Sequence, residues 1–61
     1  MIKAERQDKV RQLLEEQGTV SVKEISDALG VSDMTIRRDL EELASLGEIE
    51  RVHGGARSAQ G

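Results

Sequence analysis

The sequence predicts a small, mainly α-helical domain in which three helices are followed by a β-hairpin. Three observations support this fold class. Apolar residues recur at helical spacing in three segments, a glycine closely follows each segment, and the C-terminal residues lose the helical period around a Gly-Gly pair. Because the chain has 61 residues, 36% of them hydrophobic and none aromatic, it can build one aliphatic core and no more.

The first helix is predicted over residues 4–17, which are rich in helix-forming residues. Its expected apolar face has the i, i+3, i+4, i+7 spacing and consists of Val10, Leu13, Leu14 and Gln17. Gly18 follows, at a position where a helix end favours a residue that tolerates positive φ. A short β-favourable stretch, residues 19–22, comes next.

The second helix begins at a capping box, in which Ser21 is the N-cap and Glu24 lies three residues later. Val20 and Ile25 have the spacing of a hydrophobic staple across this helix start. The expected apolar face consists of Val22, Ile25, Ala28 and Leu29. Gly30 ends the helix, which must therefore be short.

The third helix starts soon after Gly30, with Ser32 as its N-cap, and ends at Gly47. Its expected core face consists of Ile36, Leu40, Leu43 and Leu46. Residues 30–32 are then the whole connection between the second and third helices. Two short helices joined by such a glycine-containing turn are typical of a helix-turn-helix, whose second helix fits the major groove of DNA.

The C-terminal segment is predicted to be a β-hairpin. Residues 48–52 are strand-like, residues 53–55 are a turn, and residues 56–58 can return as a second strand. A hairpin placed after a helix-turn-helix is a wing. The predicted architecture is therefore a winged helix-turn-helix, with three helices plus a wing.

The outward face of the third helix is the candidate DNA-binding surface. Stepping about 100° per residue from the buried Ile36 places Met34, Arg37 and Arg38 outward, with Thr35 to one side. Arginine can bind guanine or a phosphate, and threonine can bond to a base or a phosphate. Methionine can contact the methyl group of thymine.

Two other parts of the chain add candidate contacts. The backbone amides near Ser32 and Asp33 can hold a phosphate at the positive end of the helix dipole. The wing can approach a phosphate or the minor groove through its cationic, titratable and glycine residues, namely Arg51, His53, Gly54 and Gly55.

The same surfaces have a second interpretation. Three opposite-charge pairs on the third helix have i,i+4 spacing: Asp33 with Arg37, Arg37 with Glu41, and Arg38 with Glu42. A solvated helix face crossed by salt bridges would show the same pattern. The hairpin, likewise, can be a small sheet that only closes one end of the core.

The charge balance argues against a nucleic-acid partner. Nine lysines and arginines stand against twelve aspartates and glutamates, which gives a net charge of −3 and a pI of about 5.0. If DNA is the partner, this acidic total predicts weak binding to arbitrary DNA, with specificity carried by a few placed residues.

Composition also bears on catalysis and location. The chain has no cysteine and one histidine, so we predict no catalytic residues, no metal site and no cofactor. No apolar run approaches the roughly 20 residues of a membrane span, and the N-terminus is too charged for a signal peptide. We therefore expect a cytoplasmic protein without membrane contact.

Two runs, VSDMTIRRDL at residues 31–40 and RVHGGA at residues 51–56, resemble the N-terminal domain of the DeoR family of bacterial transcriptional regulators. The similarity covers about residues 2–57, and Asp33 and Met34 occupy variable positions of the first run. The resemblance implies a winged helix-turn-helix over residues 1–58, in which the motif spans about residues 20–39 and the wing about residues 48–58. Residues 59–61 would be a tail or linker towards a C-terminal domain that is absent here.

The resemblance further implies sequence-specific binding to a double-stranded DNA operator by a transcriptional regulator, a repressor of a sugar-catabolism operon. Thr35, Arg37 and Arg38 would contact DNA in the major groove, and residues 51–56 would contact the backbone or an adjacent groove. The absent C-terminal domain would bind a phosphorylated sugar and make the full-length protein a homo-oligomer, whereas the present chain would be a monomer. The alternative is a winged-helix module that binds protein and not DNA, which an acidic net charge would suit.

Asp39 lies at the border of the core and away from the groove-facing side. We predict that it has a structural role and pairs with a basic residue of the first helix, such as Arg6 or Arg11.

Overall fold

The computed structural model describes residues 1–59. The elements, in chain order, are α1 (Lys3–Gln17), β1 (Thr19–Ser21), α2 (Val22–Leu29), α3 (Asp33–Ser45), β2 (Ile49–Val52) and β3 (Gly55–Ser58). The predicted fold class, a mainly helical winged helix-turn-helix with a small β-hairpin, is confirmed. Of the predicted tail, Gln60 and Gly61 lie outside the described residues.

The helix starts form as their capping residues predict. At α2, Ser21 Oγ accepts from the Glu24 amide at 3.0 Å, and the Glu24 carboxylate accepts from the Ser21 amide at 3.1 Å. At α3, Ser32 Oγ accepts from the Thr35 amide at 3.2 Å. Gly30 ends α2 in the left-handed conformation, with φ of 69°, so that residues 30–32 connect α2 directly to α3.

The sheet has three strands, one more than the predicted hairpin supplies. β3 lies in the centre and pairs antiparallel with both β2 and β1, where Val20 stands opposite Ala56. At Gly55, a Cβ atom would overlap the carbonyl oxygen of Val20 and lie 2.8 Å from Ser21 Cα. This close approach of two backbones explains why glycine occupies the first residue of β3.

The core combines one face from each helix with the inner side of the sheet. Its buried apolar residues are Val10, Leu14, Val20, Val22, Ile25, Ile36, Leu40, Leu43, Ile49 and Ala56. Leu13 and Leu29 pack against this cluster from its edge, as does Val31 from the turn. Within residues 1–59, no helix has the length and apolar character to cross a membrane.

Three residues expected on apolar faces lie outside the core. Leu46 is 64% exposed because α3 ends at Ser45 and the chain then turns towards β2 through Gly47, which has φ of 78°. Ala28 and Gln17 are also exposed. On α1, the polar residue Gln7 is buried instead, and its side-chain amide donates a hydrogen bond to Glu42 of α3.

Candidate nucleic-acid interface

The acidic side chains of α3 all contact other parts of the fold. The helix contains four of them, namely Asp33, Asp39, Glu41 and Glu42. Their partners lie on α1, α2 and β2. Together with the buried Ile36, Leu40 and Leu43, these contacts hold α3 against its neighbouring elements.

Asp39 is the most deeply buried carboxylate, at 3% exposure. It accepts two hydrogen bonds from Arg6 of α1, from Nε and, at 2.9 Å, from Nη2. Donating to Asp39 raises the pKa of Arg6. The predicted pairing of Asp39 with the first helix is thus confirmed, with Arg6 as the partner, whereas Arg11 pairs with Asp8 and Glu48.

Glu42 forms the second link between α3 and α1. Lys3 Nζ lies 2.7 Å from its carboxylate, and Gln7 donates a weaker hydrogen bond at 3.4 Å. These bonds, that of Lys3 first, lower the pKa of Glu42. Residues from successive turns of α1 therefore hold the middle of α3.

The other two carboxylates of α3 face α2 and the wing. Asp33 accepts a hydrogen bond of 2.7 Å from the buried Ser26 hydroxyl, which ties the start of α3 to α2. Glu41 accepts from Arg51 Nη1 at 3.1 Å, while Arg51 Nε donates to the carbonyl of Gly55 at 3.1 Å. The candidate site residue Arg51 thus connects the wing to α3.

The outward side of α3 carries Met34, Arg37 and Arg38, which we call the arginine face. All three are exposed, Met34 to 64%. Six of the nine lysines and arginines lie within 4.0 Å of a carboxylate oxygen, but no carboxylate of residues 1–59 lies that close to Arg37 or Arg38. The arginine face is therefore cationic and open to a ligand.

The alternative of a salt-bridged helix face is wrong within the described residues. None of the three i,i+4 pairs forms, because Asp33, Glu41 and Glu42 each bond to another element. Arg37 and Arg38 cannot be explained as internal partners of their own helix.

Ser32 and Thr35 lie beside the arginine face, and both form hydrogen bonds of the N-terminal cap of α3. Their hydroxyl oxygens are 3.0 Å apart, and Thr35 is half-buried. Thr35 and Arg38 also line a shallow cavity between α1 and α3, together with Lys3, Arg6, Asp39 and Glu42. Thr35 is thus partly accessible at the side of α3 that faces α1.

The wing residues divide into an exposed tip and a bound base. His53 and Gly54 form the exposed turn, in which Gly54 has φ of 74°. The carbonyl of Gly54 accepts a hydrogen bond of 2.8 Å from the Val22 amide, so the tip is anchored to the start of α2. Gly55 is buried against β1, and this close packing explains the glycine without any contact to a nucleic acid.

Two residues that contact α3 were not among the predicted residues, namely Lys3 and Gln7. Both act through Glu42, which lies 39 and 35 positions further along the chain. No local spacing could have indicated them, although Gln7 continues the apolar stripe of α1 one turn before Val10 and Leu14. Residues 1–59 contain no group of three or more His, Asp or Glu side chains placed to hold a metal ion.

Comparison with known proteins identifies the family of the chain. Residues 6–61 match the family model described as the DeoR-like helix-turn-helix domain. The chain is 52% identical over 58 residues to the lactose phosphotransferase system repressor of Streptococcus mutans, and 50% and 48% identical to the proteins of that name from Staphylococcus aureus and Staphylococcus epidermidis. Each alignment covers 95% of this chain and 23% of the relative, so the chain spans about a quarter of the length of these relatives.

No solved structure matches the chain. The family consists of DNA-binding regulators and not of enzymes. The match extends over nearly all of the sequence, including all of α2, α3 and the wing. The chain therefore belongs to the DeoR-like helix-turn-helix domain family.

Proposed function

We propose that this domain binds double-stranded DNA in a sequence-specific manner, with the N-terminal half of α3 in the major groove. The observation that carries the proposal is the pair Arg37 and Arg38, the two arginines without a carboxylate partner in residues 1–59. Arginine is the side chain best suited to guanine edges and phosphates, because its planar group donates two parallel hydrogen bonds.

The arrangement of charge supports the proposal in spite of the net charge of −3. α3 itself has four carboxylates and two arginines, but each carboxylate bonds to α1, α2 or the wing. A phosphate or base edge that approaches the arginine face would therefore meet two unpaired cations. The acidic residues elsewhere would weaken non-specific binding, which depends on total phosphate neutralisation.

The flanking residues have supporting roles in this proposal. Thr35 and the amides near Ser32 and Asp33 would contact the phosphate backbone beside the arginine face, and Met34 would contact bases. The exposed wing tip, His53 and Gly54, would contact the backbone or the neighbouring groove. Residues 1–58 would be the DNA-binding unit.

We further propose that the full-length protein is a cytoplasmic repressor of sugar-utilisation genes. The support is the name of the relatives, lactose phosphotransferase system repressors, which are about four times as long as the matched region. A phosphorylated sugar would then act through a C-terminal domain outside this chain. That domain would also form the homo-oligomer, and the isolated domain would be a monomer with modest affinity for one half-site.

The test is selection of bound sequences from random duplex DNA, followed by affinity measurement at several salt concentrations. We expect one enriched motif, with an affinity that falls steeply with salt because bound phosphates release counterions. Scrambled duplex of the same composition is the control and should bind much more weakly. No enrichment, together with no duplex binding at low salt, would contradict the proposal and favour a protein-binding module.

A further inference from the structure

The arginine face is followed, one helical turn later, by two carboxylates that could neutralise it. Glu41 is four residues after Arg37, and Glu42 is four residues after Arg38. Residues at this spacing are neighbours on a helix surface and can form ion pairs. In the structure neither pair exists, because Arg51 bonds to Glu41 and Lys3 lies 2.7 Å from Glu42.

Simple physical reasons explain why the partners from other elements prevail. An ion pair within a helix is weaker when the basic residue precedes the acidic one, as it does here, because that order opposes the helix dipole. Arg51 is also held in place, since its Nε donates to the Gly55 carbonyl and its side chain is only 27% exposed. Its second bond, to Glu41, therefore loses little additional side-chain freedom.

Lys3 acts in the same way from the opposite side of α3. Its ammonium group and the Gln7 amide both bind Glu42, and they come from the first two turns of α1. Two cations from separate elements thus occupy the two carboxylates that are spaced to reach the arginine face.

We propose that Arg51 and Lys3 are positioning residues for DNA binding, because they hold Glu41 and Glu42 away from Arg37 and Arg38. This inference rests on the proposed function. It assigns Arg51 an indirect role through Glu41, in place of the direct contact with DNA that its position in the wing suggests.

The test is a double-mutant cycle of Arg51→Gln and Glu41→Gln. Affinity is measured by fluorescence anisotropy with a labelled duplex that carries the selected sequence. We expect Arg51→Gln to weaken binding. Glu41→Gln should improve binding more in the Arg51→Gln background than in the wild type. The ratio of the two improvements should be about two- to fivefold, which is the size of effect known for exposed ion pairs. An equal effect of Glu41→Gln in both backgrounds would overturn the indirect role of Arg51.

Arg57→Gln is the matched control for charge removal. Arg57 lies in the same hairpin and forms an ion pair of 2.6 Å, but its partner is Glu50 of β2 and not a residue of α3. Loss of its charge should weaken DNA binding only through long-range electrostatics. Glu41→Gln should therefore improve binding no more in the Arg57→Gln background than in the wild type. If Glu41→Gln were equally beneficial in both hairpin variants, the specific link between Arg51 and Glu41 would be refuted.

The ion pair between Lys3 of α1 and Glu42 of α3 provides a second variant set that does not depend on the wing. Lys3 is 57% exposed at the start of α1, so Lys3→Gln should leave the domain folded. The same excess of about two- to fivefold is expected for Glu42→Gln in the Lys3→Gln background. Strictly additive effects in this cycle would overturn the role of Lys3.

A measurement on the free protein separates this inference from the proposed function. In ¹⁵N NMR spectra, the Arg37 Nε–H resonance should shift in Arg51→Gln, when Glu41 is released, and return in the double variant. An unchanged resonance would contradict the inference even if DNA binding is established. The expected shift without any DNA binding would instead contradict the proposed function alone.

Discussion

The inward and outward sides of α3 carry opposite kinds of charge, although they alternate within the same 13 residues. The inward side combines fully buried Ile36, Leu40 and Leu43 with the buried carboxylate of Asp39, which bonds to Arg6 of α1. Glu42, at its edge, bonds to Lys3 and Gln7 of α1, whereas the exposed Glu41 bonds to Arg51 of the wing. The outward side presents Arg37 and Arg38 with no carboxylate of residues 1–59 near them.

The sum of charges is therefore a poor guide to the ligand of a small domain. α3 has a formal charge of −2 from its own residues, two arginines and four carboxylates, yet the side it exposes at its N-terminal half is cationic. Asp39 and Glu42 bond to cations of α1 and so neutralise those cations, and not the arginines on the outward side. The two sides should therefore respond to mutation in different ways.

The largest effect on the outward side is expected for Arg37→Ala combined with Arg38→Ala. Each arginine that binds a base pair bidentately contributes about 1–3 kcal/mol, so the double variant should lose roughly thirtyfold or more in specific affinity. Because neither guanidinium has a partner in residues 1–59, the free energy of unfolding should change by no more than about 0.5 kcal/mol. Anisotropy titration and thermal unfolding measure the two quantities. Operator binding at wild-type affinity would show that α3 is not the recognition helix.

Much of the fold could be predicted from the sequence, because it depends on local features. Helix starts at Ser21 and Ser32, the short turn at Gly30 and the hairpin are local features, and all were predicted correctly. The pairing of β1 with β3 was not, because Val20 and Ala56 are far apart in sequence and short strands carry little pairing information.

The candidate site could be predicted to a similar extent. Helical periodicity correctly turned Met34, Arg37 and Arg38 outward, because it depends only on the position of the core. The same spacing suggested i,i+4 ion pairs that do not form, since the competing partners Lys3 and Arg51 come from other elements. Charge pairing is a tertiary property, whereas exposure on a helix is largely a local one.

Asp39→Asn tests the inward side and should affect stability alone. The carboxylate is 3% exposed and Arg6 is 16% exposed, so the substitution leaves a largely desolvated guanidinium without its counter-ion. We expect a loss of about 1–3 kcal/mol, which lowers the melting temperature of a domain of this size by at least about 4 °C. Asp8→Asn is the matched control, because its ion pair with the same helix is exposed and contributes little. An altered sequence preference at unchanged stability would contradict the structural role of Asp39.

Met34→Ala tests the apolar part of the outward side separately from its two arginines. If the exposed Met34 side chain contacts a thymine methyl group, the variant should lose about fourfold in affinity, as for one buried methylene-sized group. Uracil in place of thymine at the contacted position should cost the wild type a similar factor and the variant almost nothing. Leu46→Ala is a suitable control, since Leu46 is equally exposed but lies beyond the end of α3. A uracil penalty of equal size in both proteins would mean that Met34 does not contact that methyl group.

Glu42→Gln should produce the smallest effect, and it should depend on pH. The hydrogen bonds from Lys3 and Gln7 lower the pKa of Glu42 in the folded domain, so its ionised form stabilises the fold above the ordinary glutamate pKa of about 4.3. That contribution is lost as the pH falls through the lower pKa of the folded state. The variant should therefore be less stable than the wild type near pH 6, and the two unfolding free energies should converge towards pH 3.

Glu15→Gln removes an exposed carboxylate that has no ion pair within residues 1–59 and serves as the control. A stability difference for Glu42→Gln that stays constant across this range would show that the ionised carboxylate of Glu42 is not stabilised by Lys3 and Gln7 in the folded domain.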